Sequence, residues 1–275
     1  MSDTSLFGTR HIVFIIISFV LMAGLYIFSR KLSIKQCAKI LLYVGIVSEI
    51  IKIFYYIYAN ENKVYDPLTG ATFNGVLPKS DLPFHLCSIQ ILFILVVNLT
   101  TNEKLRRFIF SFMIPSCLIG GIAAILIATD SSRSVPLISA QYFLYHIAIS
   151  TFALRLLTDK EMKWRLPDML NCFKFLLVIM FFAFYINSIV FDGMSNVNFM
   201  YVVGPPQDEL PFLNKDHGWL VYITHYACLV VFAVVLCYMK AIIDTIKDKK
   251  QVQTVEKDEK AAVQDAESST EDAVA

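Results

Sequence analysis

Apolar residues run along this chain in seven blocks separated by short polar stretches, at about residues 11–29, 38–58, 82–98, 108–128, 136–156, 169–191 and 218–240. Each block is close to the roughly 20 residues that a helix needs to cross a bilayer. The pattern predicts an all-α polytopic membrane protein, a seven-helix transmembrane bundle. It also divides the chain. Residues 1–245 read as the membrane domain and 246–275 as a disordered, charged cytoplasmic tail. The tail is rich in Glu, Asp, Ala and Ser, and lacks the apolar residues that burial would need. No internal repeat is visible, which argues against an inverted-repeat transporter.

Composition agrees with the pattern. The chain has 275 residues, 56% of them hydrophobic and 17% charged, with a mean hydropathy of +0.59. One soluble core of this size could not hide that much apolar surface. The net charge of +1 and the lack of a basic face exclude a nucleic-acid partner. Six cysteines lie in or beside the apolar blocks, none at CxxC spacing, so they form neither a disulfide framework nor a zinc site. The first block is too long for the core of a cleaved signal peptide and lacks a basic leader, so it reads as an uncleaved first span.

Loop charge sets an orientation. The loops after the first, third and fifth blocks carry Arg30, Lys31 and Lys35, then Lys104, Arg106 and Arg107, then Arg155, Lys160, Lys163 and Arg165. The alternate loops are poor in basic residues. Positive residues favour the cytoplasmic side, so the N-terminus is expected outside and the C-terminus inside the plasma membrane.

Ionisable and amide side chains inside a span are costly, so each is a functional candidate. Glu49 and Lys52, three residues apart on the second block, share a helix face and can pair. His85, Cys87 and Gln90 open the third block, Gln141 and His146 lie on the fifth, Asn187 near the end of the sixth and His225 on the seventh. At 1.5 Å per residue Cys87 lies roughly 6 Å, His225 roughly 10 Å, Glu49 roughly 13 Å and His146 roughly 15 Å below the outer surface. All therefore fall in one outer layer, which predicts a polar cavity there.

A cysteine with an imidazole nearby is the minimal pair for nucleophilic acyl transfer, because the thiolate is the reactive form. On a helix His85 and Cys87 would stand about 200° apart, so the base is expected from His146 or His225. Glu49, Gln141 or Asn187 could orient it. Taken singly, Cys87 reads as a small buried hydrophobe, each histidine as an inter-helix hydrogen bonder, and Glu49 with Lys52 as a structural ion pair. Their shared depth is what favours a site. His85, His146 and His225 lack the HxxxH or HxxE spacing of a metal centre. No metal or other cofactor is expected.

The run Leu82-Pro83-Phe84-His85-Leu86-Cys87-Ser88-Ile89, His146, the Asn198-Phe199-Met200-Tyr201 to Pro205 loop and the Gly218-Trp219 start of the last block resemble the bacterial YwaF-type integral membrane proteins. The resemblance spans about residues 10–240. That family is similar to a eukaryotic family of cysteine-dependent ether-phospholipid acyltransferases, and more remotely to membrane hydrolases of fatty-acid esters. It implies Cys87 as nucleophile and His146 as its base. Gly204-Pro205-Pro206-Gln207 and Asp216-His217-Gly218-Trp219 depart from the family pattern in the substrate-facing loop.

The expected function is a lipid acyltransferase or hydrolase at the outer leaflet, with membrane lipid as its partner. His85, Glu49 and Lys52 would shape its site, with Gln90, Gln141, Asn187 and His225 as further substrate contacts. Two readings compete with it. One is a small-solute transporter or permease that uses Glu49 and Lys52 for coupling. The other is a structural or sensory membrane protein with an inert polar cluster.

Overall fold

The computed structural model describes residues 6–61, 81–128, 136–191, 197–206 and 213–271. Among them the chain forms seven α-helices and no strand: α1 (Thr9–Ser29), α2 (Ile34–Glu61), α3 (Ile89–Leu99), α4 (Glu103–Leu126), α5 (Pro136–Leu157), α6 (Leu166–Tyr185) and α7 (Trp219–Glu271). A π-helical turn, Ile186–Val190, extends α6, and a 3-10 turn, Phe199–Tyr201, precedes α7. All of these helices except α3 are long and apolar enough to cross a membrane. Many large side chains, such as Val20, Phe54, Val178, Phe181 and Leu220, face outward. That is how a chain dissolved in lipid looks.

Short polar motifs between the apolar blocks start the helices. Ser33 and Gln36 form a reciprocal cap at α2: Gln36 N donates to Ser33 Oγ at 3.2 Å and Ser33 N to Gln36 Oε1 at 2.9 Å. Asn102 Oδ1 accepts from the backbone of Lys104 and Leu105 at α4. Asp168 takes the Arg165 N–H at 2.9 Å at α6. Inside α4, Pro115 has no N–H to donate to the carbonyl of Ser111. The Tyr238 hydroxyl of α7 donates to that carbonyl at 2.9 Å, which ties α7 to the proline turn.

The helices alternate in direction. On α4 and α5, Tyr142 bonds Ala124 and Ser150 bonds Cys117, so the two run antiparallel. These two helices form the hub: 67% and 61% of their membrane windows are buried, against 11–22% in the other long helices. Alternation gathers the loops after α1, α3 and α5 at one end. There Arg107 reaches the Lys163 carbonyl at 2.7 Å and Arg155 the Ser29 carbonyl at 3.3 Å. The basic loops therefore share one end of the bundle, as the sequence pattern requires. The opposite end holds the finish of α2, α4 and α6 and the start of α3, α5 and α7.

One segment differs from expectation. Helix α3 begins at Ile89 and has 11 residues, about 16 Å of rise, so residues 82–88 are not helical as the third block predicts. They form a chain of turns, with Phe84 N bonded to Leu82 O at 2.7 Å and Ile89 N to His85 O at 3.0 Å. The third segment still runs antiparallel to α2: Lys52 bonds the Asp81 carbonyl and Asn98 the Ala38 carbonyl. Irregular backbone at membrane depth is tolerated where protein covers it. Here rings cover it, with Phe84 edge-on to Phe182 at 5.9 Å and to Phe199 at 5.3 Å. At the C-terminus the backbone of α7 is helical to Glu271, in a segment where Ala, Glu, Lys and Gln, all strong helix formers, dominate.

Candidate functional site

The site lies at the end away from the basic loops. Its centre is the turn segment 82–88, which three neighbours fix. From α2, Lys52 Nζ stands 2.8 Å from Glu49 Oε2 and donates to the Asp81 carbonyl at 3.1 Å. The Tyr56 hydroxyl donates to the Asp81 carboxylate. Glu49 and Lys52 thus pair as their spacing predicts, and the pair anchors the start of the segment. From the turn before α7, the His85 ring rests on Phe199 at 5.2 Å and on Tyr201 at 5.4 Å. From α5, the Tyr145 hydroxyl donates to the Cys87 carbonyl at 2.7 Å.

Cys87 is half-buried and in no disulfide among the described residues. Lys52 is the cation whose field reaches its sulfur, and Cys117, Tyr145 and Tyr201 also stand within electrostatic reach of it. Five parts of the chain therefore converge on this thiol's surroundings: α2, α4, α5, the turn before α7 and its own segment.

His146 is 3% exposed. Its Nδ1 lies 2.7 Å from the Tyr142 carbonyl. A carbonyl only accepts, so Nδ1 carries the proton and Nε2 keeps the lone pair. That Nε2 is buried with no hydrogen-bond partner among the described residues. The centroid of the imidazole lies 4.2 Å from that of the Tyr142 ring and 5.7 Å from that of the Tyr145 ring. An imidazole with one nitrogen fixed by an acceptor and the other unengaged is set up to take a proton. His11, near the start of α1, is the opposite case. It is fully buried, its Nδ1 accepts from Phe7 N at 3.1 Å and its Nε2 donates to the Ile125 carbonyl at 3.0 Å.

Cys87 and His146 share this end of the bundle, but no hydrogen bond joins the sulfur to an imidazole among the described residues. Tyr145 touches both, through its hydroxyl and its ring. The remaining candidates divide. Gln90 donates to the Leu86 carbonyl and to Ser116 Oγ, each at 3.0 Å, and its Oε1 is buried without a partner among the described residues. Gln141 bonds Ser48 and so ties α5 to α2. Asn187 sits in the π turn and clamps Phe199: Phe199 N donates to Oδ1 at 2.8 Å, and Nδ2 donates to the Phe199 carbonyl at 3.0 Å. It orients the loop, not the base. His225 is exposed on the outer face of α7 and does not join the cluster. The outer layer expected from depth alone thus loses one member, because depth does not say which face a residue occupies. Among the described residues no three His, Cys, Asp or Glu side chains converge as metal ligands.

Several tyrosines and Asp81 belong to the site but escaped the sequence reading. Met200 and Tyr201 hold φ of 57° and 54°, a left-handed backbone that costs energy outside glycine. The Tyr226 hydroxyl donates to the Met200 carbonyl at 2.9 Å and the Tyr222 hydroxyl to that of Tyr201, which holds the turn under His85. Tyr222 and Tyr226 are four apart and stack on one helix face. That spacing is a signal the sequence carries. Just before them Gly218 adopts φ of 88°, which a side chain would resist.

The chain matches the TMEM164 family over residues 6–238. No curated protein and no solved structure matches it.

Proposed function

The chain belongs to the TMEM164 family, and from that premise we propose that it is a lipid acyltransferase or hydrolase with Cys87 as nucleophile and His146 as base. The observation that carries this reading is the buried, unengaged Nε2 of His146 at the same end of the bundle as a half-buried thiol. The YwaF-type resemblance, with its similarity to cysteine-dependent acyltransferases, points the same way. The loop charge favours this end at the outer leaflet of the plasma membrane, with the N-terminus outside and the C-terminus in the cytoplasm.

In the proposed reaction Cys87 Sγ bonds to the ester carbonyl carbon and its proton passes to His146 Nε2. The imidazolium gives that proton to the departing lyso-lipid oxygen as the ester bond breaks, leaving a thioester. Water, or the hydroxyl of a second lyso-lipid, then takes the acyl group. His146 accepts that nucleophile's proton and returns it to the thiolate. Since sulfur and imidazole share no hydrogen bond in the resting protein, the first transfer runs through one water or through closure on the substrate. The acyl chain lies between helices, where it arrives from the lipid without crossing water.

The test is turnover by purified protein in phospholipid nanodiscs, read as lyso-lipid and released or transferred fatty acid. His146→Gln is expected to lower the rate on the order of 10²–10⁴-fold. Cys87→Ala should abolish turnover and remove the iodoacetamide label that substrate lipid protects. Full turnover by Cys87→Ala would end the nucleophile assignment. Glu49-dependent solute flux without lipid turnover would favour the permease reading.

A further inference from the structure

At the basic end, the loops after α1, α3 and α5 enclose a cleft of ≈ 1010 Å³ whose lining holds seven basic side chains against three acidic ones. The inner cations are already engaged. Arg155 pairs with Asp159 and donates to the carbonyls of Ser29 at 3.3 Å and Leu32 at 3.4 Å. Arg106 pairs with Glu103 and caps the Thr100 carbonyl. Arg107 makes two 2.7 Å bonds to the Asp168 carboxylate. These arginines stitch the three loops into a fixed wall. Lys35 stands 3.9 Å from Glu103. Arg30, Lys31 and Lys160 are left on the rim, exposed and in no ion pair among the described residues, where they outnumber the one unpaired acid of the lining, Glu161. Leu32, Phe110 and Met162 give the same cleft an apolar side.

A topology signal needs only basic residues somewhere in these loops. It does not need a cleft whose inner cations are each satisfied locally while three at the mouth remain unneutralised. Cations at a mouth, above an apolar wall and at the ends of membrane-crossing helices, match a phosphate carried by an amphiphile. We propose that this cleft binds a phosphate-bearing ligand through Arg30, Lys31 and Lys160, with an anionic phospholipid headgroup as the source its apolar side favours. The site is separate from Cys87 and His146, at the other end of the bundle, and does not depend on the reaction proposed for them.

The full chain, purified in neutral detergent, is titrated with short-chain phosphatidylglycerol and, in parallel, phosphatidylcholine. Bound lipid is counted by native mass spectrometry. Phosphatidylglycerol is expected to bind more tightly than phosphatidylcholine. One basic residue near an anionic headgroup is worth about fivefold, so Arg30→Gln/Lys31→Gln/Lys160→Gln should weaken phosphatidylglycerol on the order of a hundredfold. Lys163→Gln, a nearby exposed lysine outside the cleft, should leave it unchanged. Inorganic phosphate is the second arm. Failure to compete identifies the lipid headgroup, while displacement identifies free phosphate as the ligand. The replaced side chains are exposed, and circular dichroism checks that the triple variant keeps its helices. Wild-type affinity in the triple variant, or an equal loss in Lys163→Gln, would overturn the proposal.

Discussion

Replacing Gly121 by alanine would drive a methyl group from α4 into α5. An ideal Cβ at Gly121 stands 2.2 Å from Ser150 Oγ, 3.2 Å from the His146 carbonyl oxygen and 3.3 Å from Ile149 Cγ1. The Ser150 hydroxyl has to rotate away, and it then loses its 3.3 Å bond to the Cys117 carbonyl. A buried hydroxyl left without a partner costs about 1–3 kcal/mol. The backbone contact at His146 cannot be relieved by a rotamer, so the two hub helices must separate by a few tenths of an ångström. Overpacking of that kind costs about 1–3 kcal/mol. Gly121→Ala should therefore destabilise the protein by roughly 2–6 kcal/mol. Reversible unfolding in mixed micelles measures this. In a Ser150→Ala background the worst contact is gone, and the same substitution should cost roughly 1–2 kcal/mol less, a coupling that a double-mutant cycle isolates. A cost near zero for Gly121→Ala, or no relief from Ser150→Ala, would show that α4 and α5 are not packed as closely as this.

Two further predictions concern the ends of the bundle. Asn187→Ala removes three side-chain hydrogen bonds, to Ala183 and to both backbone groups of Phe199. At about 1 kcal/mol each it should cost roughly 3 kcal/mol and raise hydrogen exchange at Phe199–Tyr201; unchanged exchange there would refute the clamp. Partial burial works against the charge of Asp159, but the Arg155 guanidinium and the N–H groups of Glu161 and Met162 outweigh it and hold the carboxyl below its ordinary range. A lowered folded-state value means that the contribution to stability is present above the ordinary carboxylate range and fades as pH falls through the folded value. Asp159→Asn should flatten the acid limb of the stability–pH curve, and an unaltered limb would count against the assignment.

Most of the fold was legible because lipid imposes a simple rule: an apolar run of the right length becomes a helix. The rule is weakest at the third block. Residues 82–88 are as apolar as a helix would be, and hydropathy registers apolarity and not backbone shape. Pro83 offers a helix no N–H, and the turns are held by the Lys52 bond to the Asp81 carbonyl and by the rings of Phe182 and Phe199 against Phe84. Those contacts join residues far apart in the chain, so no window of sequence shows them.

The candidate residues could be named from the sequence, but their bonding could not. His11 and His146 look alike in sequence, each a lone histidine beside an apolar block. The fold uses both nitrogens of His11 to join backbone groups, and uses only Nδ1 of His146. The difference lies in partners supplied by other helices, so depth and spacing could not reveal it. The same holds for Tyr145. A tyrosine in an aromatic-rich membrane protein carries no distinguishing mark. Its hydroxyl nevertheless reaches the Cys87 carbonyl while its ring lies beside His146. A residue that touches the chain at the Cys87 carbonyl and the ring of His146 makes the separation of thiol and imidazole depend on the α5 backbone. Gly121 matters for the same reason, because its missing Cβ lets that stretch of α5 lie close against α4.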